Sequence, residues 1–298
     1  MKHRHIAVID IGSNSVRMVI FDLLKSKSAP VFNEKVFCGL GRDLNRTGSL
    51  NKNGRKTALL TLEAFALLAR AKQVQKIIAV GTAALRDAKD GKQFIESVFK
   101  KTNIKIKIIK GEEEAYFAAL GVLAFDPKAE GLVADFGGGS LEIAEIKRGV
   151  IHNGETYPFG AFRVDRLGSK IYETVKQSLR TESAHQIKIK NLYIIGGSWR
   201  ALLQCYFMHL SIEEHRLQGF KISATTLKKF CALIETKTPK QLIALYDIES
   251  HRAELLRTSS RVLRATIDAF KALNVIVSTA GIRDGVLVHY TKEKKNER

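Results

Sequence analysis

The chain has few of the residues that stabilise small extracellular domains. Among 298 residues there are four prolines, and the three cysteines lie far apart, at Cys38, Cys205 and Cys231. An odd number at this spacing forms neither a disulfide framework nor a metal-binding pattern, so we expect a reducing, cytoplasmic environment. The first apolar run ends at Asp10, too early for a signal peptide. No run approaches the roughly 18 apolar residues of a membrane span, so we expect no membrane partner.

Several catalytic signatures are also missing. There is no G-x-S-x-G turn of a serine hydrolase, no H-x-x-x-H metal spacing, and no G-K-[ST] ending of a P-loop. What the chain has in excess is positive charge, with 49 Lys and Arg against 30 Asp and Glu, a net charge of +19. Such a field concentrates polyanions. Charge alone favours nucleic acid, with anionic lipid and inorganic polyphosphate as alternatives.

Two glycine-rich turns of the same design occur, one in each half of the chain. AVIDIGSNS places Asp10 after an apolar run, and LVADFGGGS places Asp135 in the same way. Glycine lets the main chain approach a ligand closely, and successive turn amides form an anion-binding nest. A carboxylate beside the nest is suited to hold hydrated Mg²⁺ against a phosphate. The candidate phosphate-binding residues are Gly12, Ser13, Asn14, Ser15, Gly137, Gly138, Gly139 and Ser140.

The GEEEA segment at 111–115 puts three consecutive glutamates at a predicted helix start. The helix dipole favours negative charge there, which accounts for one or two of them. A carboxylate in a phosphate-filled site has a raised pKa and can take a proton from water. Because neighbours on a helix face about 100° apart, only one glutamate can serve. The residue pattern leaves the choice among Glu112, Glu113 and Glu114 open.

Two segments follow predicted strand ends, where ligands commonly bind in α/β folds. GTAALRDA carries Arg86, whose planar fork suits phosphate. A surface ion pair with Asp87 or Asp90 is the alternative for this arginine. IIGGSWRA, at 194–201, repeats the strand–glycine–helix plan and could accept a phosphate or nucleotide. Its Trp199 is better suited to core packing than to base stacking.

Strands and helices alternate in the order strand, strand, strand, helix, strand, helix in both halves, which predicts an α/β fold with mixed sheets. We place a boundary near 126–127. The predicted domains are 1–125 and 126–298, and the C-terminal helix at 282–298 packs back on the first. A single helix is expected over 162–179 and another over 249–273. Asp90 and Ser198 are the expected N-caps of two helices.

Taken in order, DIGSNS, GTAALRDA, GEEEA and DFGGGSLE resemble the exopolyphosphatase / guanosine pentaphosphate phosphohydrolase family. PFGAFR, GGSWRAL and GIRDGVL fit its later segments, so the resemblance spans nearly the whole chain. The family is a branch of the actin-like, sugar-kinase-like (ASKHA) superfamily. The resemblance therefore implies two ribonuclease-H-like domains with an interdomain cleft, in the short form without extra helical domains. It also implies release of orthophosphate from the end of inorganic polyphosphate.

The resemblance further implies residue roles. Glu113 matches the glutamate base that activates water, with Glu114 a weaker match. Asp135 and Glu142 would hold a divalent cation, Mg²⁺ or Mn²⁺, with Asp10 assisting, and would order the attacking water, which makes Glu142 a candidate catalytic residue. Arg86 and the amides of the two turns would cradle the phosphoryl groups. Two arginines would line a longer anion path: Arg163 and Arg283.

Several functions remain open on this scaffold. With the resemblance, the charge favours inorganic polyphosphate over any specific nucleic acid. Guanosine pentaphosphate is the second candidate substrate, and guanosine penta- and tetraphosphate are candidate inhibitors as well. A kinase or ATPase, or a non-catalytic sensor of polyphosphate, are alternatives from other classes. The sequence leaves the oligomeric state open, with a homodimer as one candidate.

Overall fold

The structure, a computed structural model, describes residues 5–24, 30–185, 188–212 and 216–296. The chain divides into two compact units: unit 1 comprises Met1–Glu114 and Val286–Arg298, and unit 2 comprises Ala115–Gly285. The first division lies inside a helix, Gly111–Phe125, and differs from the predicted boundary after residue 125. No linker segment marks this division, because the helix Gly111–Phe125 is continuous across it. None of the described helices combines the length and apolar character that crossing a bilayer requires.

Unit 1 contains a five-stranded mixed sheet in the order β3-β2-β1-β4-β5. Its strands are β1 (His5–Ile11), β2 (Ser15–Asp22), β3 (Pro30–Phe37), β4 (Lys76–Gly81) and β5 (Ile106–Ile108). Its helices up to residue 102 are α1 (Leu44–Thr47), α2 (Lys52–Ala71), α3 (Ala83–Asp87) and α4 (Gly91–Thr102). Strand β1 is apolar and buried through Ala7, Val8 and Ile9, as expected of a central strand covered on both faces.

Unit 2 contains a six-stranded sheet in the order β10-β11-β9-β6-β7-β8. Its strands are β6 (Gly131–Phe136), β7 (Leu141–Lys147), β8 (Val150–Tyr157), β9 (Asn191–Ile195), β10 (Lys221–Ser223) and β11 (Asn274–Val277). The remaining helices of the chain are α5 (Gly111–Phe125), α6 (Ala161–Val164), α7 (Ile171–Glu182), α8 (Gly197–His209), α9 (Ala224–Thr236), α10 (Pro239–Tyr246), α11 (Ser250–Ala269) and α12 (Ile282–Asn296).

The two sheets share one plan. In each, a three-stranded antiparallel meander is followed by parallel strands, so β3-β2-β1-β4-β5 corresponds to β8-β7-β6-β9-β11. The short strand β10, which the sequence did not predict, extends the second sheet by pairing with β11. The predicted α/β class with two ribonuclease-H-like domains is confirmed. The repeated turn motifs therefore reflect a repeated fold.

Two predicted helices are shorter than expected. The helix predicted over 162–179 is interrupted by a 3₁₀ segment, Asp165–Lys170, in which Gly168 adopts φ 53° and ψ −121°. The helix predicted over 249–273 ends at Ala269. Lys271 follows with a positive φ of 46°, a left-handed conformation that cannot continue the helix.

Two predicted N-caps have different roles. Asp90 does occupy the N-cap position of α4, but its carboxylate accepts hydrogen bonds from the Leu50 amide and from Arg55, both at 2.9 Å. Ser198 lies in the first turn of α8, and Gly196 is the N-cap. Gly196 adopts φ 119°, and a Cβ there would lie 2.4 Å from the Phe136 carbonyl oxygen, so glycine is needed.

The cysteines form no disulfide and are packing residues. Cys38, Cys205 and Cys231 are all free thiols. Burial raises the pKa of Cys205 to about 11 and also raises that of Cys231. Thiols held protonated in this way are poor nucleophiles and metal ligands.

Candidate active site

In unit 1 the predicted site segments gather at one edge of the sheet. The parallel strands β1, β4 and β5 end in register, with Ile11 beside Gly81 and Gly81 beside Ile108. DIGSNS, GTAALRDA and GEEEA each follow one of these ends. The carboxyl ends of parallel strands are where α/β folds bind ligands. The sheet topology therefore groups three segments that are far apart in sequence.

The first glycine turn is fixed through its carbonyl groups. Gly12 donates its amide to the Ser15 carbonyl at 3.0 Å, and the carbonyls of Ser13 and Asn14 accept amides from the loop at 38–41 at 2.8–2.9 Å. Within the described ranges, the amides of Ser13 and Asn14 donate no backbone hydrogen bond. A Cβ at Gly12 would meet only the Ser15 oxygen, at 3.5 Å. The turn thus offers anchored amide donors with space beside them, as an anion nest does.

Glu113 stabilises the start of α5. Its carboxylate accepts the Lys110 amide at 2.9 Å and the Lys107 ammonium at 2.9 Å. Lys110 is the N-cap, because its carbonyl accepts the first helical bond, from the Glu114 amide. Glu113 therefore forms half of a capping box. The Lys110 amide, with Lys107, holds the pKa of Glu113 below its usual value, which makes this carboxylate a weaker base.

Glu114 has a different environment. It is buried, with 5% of its surface exposed. Its Oε2 lies 3.3 Å from Nη1 of Arg86, which also donates to the Ile109 carbonyl at 3.1 Å. Arg86 pairs in addition with Asp87 at 3.4 Å. The two residue types that phosphoryl chemistry needs, a carboxylate and a guanidinium, are thus in contact at the sheet edge of unit 1.

Unit 2 repeats this grouping. Strands β6, β9 and β11 are parallel neighbours, with Asp135 beside Ile195 and Ile194 beside Val277. DFGGGS, GGSWRA and the segment leading to GIRDG follow these strand ends. Gly281 packs against Ile195, since a Cβ on it would lie 3.0 Å from the isoleucine Cγ2. In unit 2, as in unit 1, a glycine turn and two other segments of interest therefore lie at the carboxyl ends of three parallel strands.

The second glycine turn is anchored like the first. Gly137 donates to the Ser140 carbonyl at 3.0 Å, and the carbonyls of Gly137 and Gly138 accept amides from residues 161–162 at 2.9–3.0 Å. Gly160 lies so close that a Cβ on it would be 2.2 Å from Ser140 N. In the part of the chain that the structure describes, Gly138 and Gly139 donate no backbone hydrogen bond. This turn also presents amides to a ligand.

A pair of buried carboxylates lies beside the second turn. Asp135 on β6 and Glu142 on β7 are direct cross-strand partners, and their exposed fractions are 7% and 1%. Glu142 also accepts the Thr156 hydroxyl at 3.0 Å. Like charges directly opposite one another repel, so a cation between the carboxylates would stabilise them. The described residues contain no cluster of three or more His, Cys, Asp or Glu placed to hold a metal. Two carboxylates and a hydroxyl fit Mg²⁺, which retains much of its water, better than zinc.

Asp10 has a different partner. The residue opposite it in the β1–β2 hairpin is Arg17, whose Nε donates to Asn33 at 2.8 Å. Because the residue opposite Asp10 is an arginine and not a glutamate, the first turn lacks the carboxylate pair of the second turn.

Comparison with known proteins identifies the family. The sequence profile of the Ppx/GppA phosphatase family matches residues 19–294. The chain belongs to the Ppx/GppA phosphatase family. It is therefore a hydrolase of the class that acts on phosphoanhydrides.

Relatives in the Ppx/GppA family differ in the substrate they are named for. Exopolyphosphatase 1 of Mycobacterium tuberculosis is 28% identical over 303 residues, covering 95% of this chain and 87% of that protein. Guanosine-5'-triphosphate,3'-diphosphate pyrophosphatase of Aeromonas salmonicida is 26% identical over 290 residues, covering 94% of this chain and 58% of that protein. The crystal structure of an exopolyphosphatase from Cytophaga hutchinsonii has a TM-score of 0.86 at 21% identity, covering 97% and 98% of the two chains.

Three arginines complete the description of this Ppx/GppA chain. Arg163, on α6, immediately follows a residue that anchors the second turn. Arg283, in the first turn of α12, lies within electrostatic range of Arg200 on α8. GGSWRA was expected to accept a phosphate or nucleotide, with no role for its arginine. The available signal was a basic residue in the first turn of a helix after a glycine pair.

Proposed function

We propose that the chain is an exopolyphosphatase that releases orthophosphate from the end of inorganic polyphosphate. The observation that carries the proposal is the second turn, where anchored glycine amides adjoin the buried pair Asp135 and Glu142. Amides bind phosphoryl oxygens, and a carboxylate pair holds the cation that such a substrate brings with it. The net charge of +19 favours a long polyanion.

We assign the general base to Glu114 and not to Glu113. Glu113 is occupied by the N-cap amide and by Lys107. Glu114 is buried beside Arg86, so a carboxylate that can accept a proton from water lies in contact with the guanidinium that we assign to the phosphoryl oxygens. Arg86 orients this carboxylate and offers its remaining N–H groups to the phosphoryl oxygens.

Asp135 and Glu142 would hold Mg²⁺, with Mn²⁺ as the alternative, and Thr156 would fix the orientation of Glu142. The bound cation would neutralise charge on the phosphoryl oxygens. Asp10, paired across the strands with Arg17, would contribute at longer range.

Hydrolysis then requires little covalent chemistry from the protein, which mainly positions the substrate and stabilises charge. Glu114 accepts a proton from the water that attacks the terminal phosphorus in line with the leaving oxygen. The Arg86 guanidinium and the free-standing turn amides that we assign to substrate binding, those of Ser13, Asn14, Gly138 and Gly139, would bind phosphoryl oxygens of the chain. The shortened chain leaves, and the cycle repeats on its new end.

A direct assay tests this function. Purified protein with Mg²⁺ should release orthophosphate from long-chain polyphosphate, and release should fall as salt rises because polyanion binding displaces counterions. Guanosine pentaphosphate, assayed in parallel at equal concentration, tests the second candidate, which the Aeromonas relative favours. Faster turnover of guanosine pentaphosphate would reverse the order of the two substrates. Binding without release of orthophosphate from either would refute the proposal.

A further inference from the structure

Strand β8 is an edge strand whose pairing with β7 is interrupted. Among the described strands, β7 is its only neighbour in the sheet of unit 2. The register shifts between Ile143 and Glu145, and on β8 the residue Asn153, between the paired residues His152 and Glu155, adopts a left-handed φ of 45°. A bulge of this kind bends a strand and leaves residues outside the ladder. The end of β8 is therefore joined to the sheet by only a short stretch of backbone pairing.

This strand end leads directly into the segment that anchors the second turn. The hydroxyl of Thr156 donates to Glu142 at 3.0 Å. The ring of Tyr157 stacks on that of Phe159, with 6.0 Å between the centroids and 2° between the planes. The amides of residues 161–162 then hold two carbonyls of the second turn at 2.9–3.0 Å. A displacement of the strand end would shift both the carboxylate pair and the turn.

Glu155 joins the end of β8 to the end of α7. Its Oε2 accepts the hydroxyls of Tyr157 and Ser183, each at 2.7 Å, and its Oε1 accepts the Ala184 amide at 2.8 Å. Ser183 is the C-cap of α7. The ring of His185, which has no exposed side-chain surface, lies 3.7 Å from Oε2. One carboxylate thus connects the edge strand to a helix that packs in the core of unit 2.

The Glu155 carboxylate is held in its charged form. Burial raises its pKa, but the hydrogen bonds from Tyr157, Ala184 and Ser183 outweigh burial and hold the pKa below its usual value. Burial and the hydrogen bond to Glu155 raise the pKa of Tyr157, so its hydroxyl stays protonated and donates. A hydrogen bond to an ionised acceptor is about twice as strong as a neutral one. Because the helix dipole opposes a negative charge at a helix C-terminus, the stability of α7 does not by itself account for this carboxylate.

We propose that Glu155 and Tyr157 are positioning residues for the second turn. They hold the end of β8 so that the turn amides and the Glu142 carboxylate keep a fixed separation. Neither side chain touches the substrate, since both act through Thr156 and through residues 161–162. The inference deepens the proposed function, on which its effect on catalysis rests, whereas the anchoring itself is a property of the chain without substrate.

A second tyrosine provides a matched control. Tyr172 donates its hydroxyl to Asp268 at 2.7 Å, the same kind of bond in the same unit, but it joins α7 to α11. Tyr157→Phe and Tyr172→Phe each remove one hydroxyl and keep the ring. In Tyr157→Phe we expect the KM for polyphosphate and the Mg²⁺ concentration for half-maximal activity to rise about 10-fold, the lower end of the loss caused by removing a residue that orients a metal ligand. The change in kcat should be smaller, because the proposed base and Arg86 lie in unit 1.

Tyr172→Phe should also lower the melting temperature, but it should leave KM and the Mg²⁺ dependence within about twofold of wild type, as for a site that does not couple to the turn. Glu155→Gln, which removes the charge, should reproduce the kinetic defects of Tyr157→Phe.

Amide hydrogen exchange tests the anchoring without substrate. The amides of Ala161 and Phe162 exchange when their bonds to the turn carbonyls open locally. They should exchange about 10-fold faster in Tyr157→Phe and Glu155→Gln than in wild type, as for loss of a hydrogen bond to a charged group. In Tyr172→Phe their rates should match wild type, and the amides of β9 serve as the reference for global unfolding.

Equal exchange rates at residues 161–162 in the two tyrosine variants would overturn the anchoring. Kinetic constants of Tyr157→Phe that match those of Tyr172→Phe would overturn the positioning role, even if the melting temperature falls, because a merely structural contact gives that result. A wild-type protein that releases no orthophosphate, with faster exchange at residues 161–162 in Tyr157→Phe, would refute the proposed function and still support the anchoring.

Discussion

Arg17 occupies in unit 1 the position that Glu142 occupies in unit 2. Each follows the aspartate of its turn by the same spacing and pairs with it across the hairpin, Arg17 with Asp10 and Glu142 with Asp135. One repeat therefore places a carboxylate opposite a guanidinium, and the other places two carboxylates opposite one another. The fold is duplicated, but we propose that the cation binds in the second copy.

This asymmetry predicts unequal effects of two matched substitutions. Asp135→Asn should raise the Mg²⁺ concentration for half-maximal activity at least about 10-fold, because loss of a residue that merely holds a metal ligand already weakens metal binding about 10- to 100-fold. Asp10→Asn should raise it by no more than about threefold, an effect of charge at a distance. Mg²⁺ titrations of phosphate release measure both. Equal shifts in the two variants would contradict the assignment of the cation to unit 2.

Two glutamates at the start of α5, Glu113 and Glu114, allow a second pair of matched substitutions. Glu114→Gln should lower kcat by about 100-fold or more, the usual contribution of a general base. Glu113→Gln should leave kcat nearly unchanged but cost about 0.3–1 kcal/mol of stability, since the negative charge at the helix start is lost while the amide oxygen can still accept the Lys110 amide. Single-turnover rates and thermal unfolding separate the two effects. If Glu113→Gln abolished turnover in a fully folded protein, the base would be Glu113.

Acid stability should depend on Asp268, which joins three helices. Its carboxylate accepts the Lys228 ammonium at 2.6 Å and the Tyr172 hydroxyl at 2.7 Å. Burial raises its pKa, but these two partners outweigh burial and hold the pKa below the usual value. The stabilisation is therefore complete above the ordinary pKa of about 3.9 and is lost as pH falls through the folded-state value.

Asp268→Asn tests this dependence. At pH 7 it should reduce the free energy of unfolding by about 1.5–3 kcal/mol, the contribution of hydrogen bonds to a charged group. The difference from wild type should shrink as the pH falls below about 4. Urea unfolding across pH 3–7 measures it. A constant difference over that range would show that the charge of Asp268 contributes nothing.

The sequence predicted what depends on local pattern. Apolar runs broken by glycine turns located the strands, and the repeated DIGSNS and DFGGGS turns revealed the duplication. The residue pattern could not choose between Glu113 and Glu114, because their difference comes from Lys107 and Arg86 on other segments. The family resemblance favoured Glu113, whereas we propose Glu114. The pattern of residues within one segment does not show which distant segments it will contact in the folded chain.

Two glycines differ in whether the space beside them is open to a ligand or filled by the protein. Gly12 can take a Cβ, since the nearest atom would be 3.5 Å away, whereas a Cβ on Gly160 would lie 2.2 Å from both Gly139 C and Ser140 N. Gly160→Ala should therefore cost about 2 kcal/mol or more through overpacking and displace the second turn. Gly12→Ala should keep or slightly raise stability, by up to about 1 kcal/mol, yet raise KM for polyphosphate because the methyl group occupies the space beside the amides. Thermal unfolding and steady-state kinetics on both variants measure this contrast. An unchanged KM for Gly12→Ala in a stable protein would mean that phosphate does not bind at the first turn.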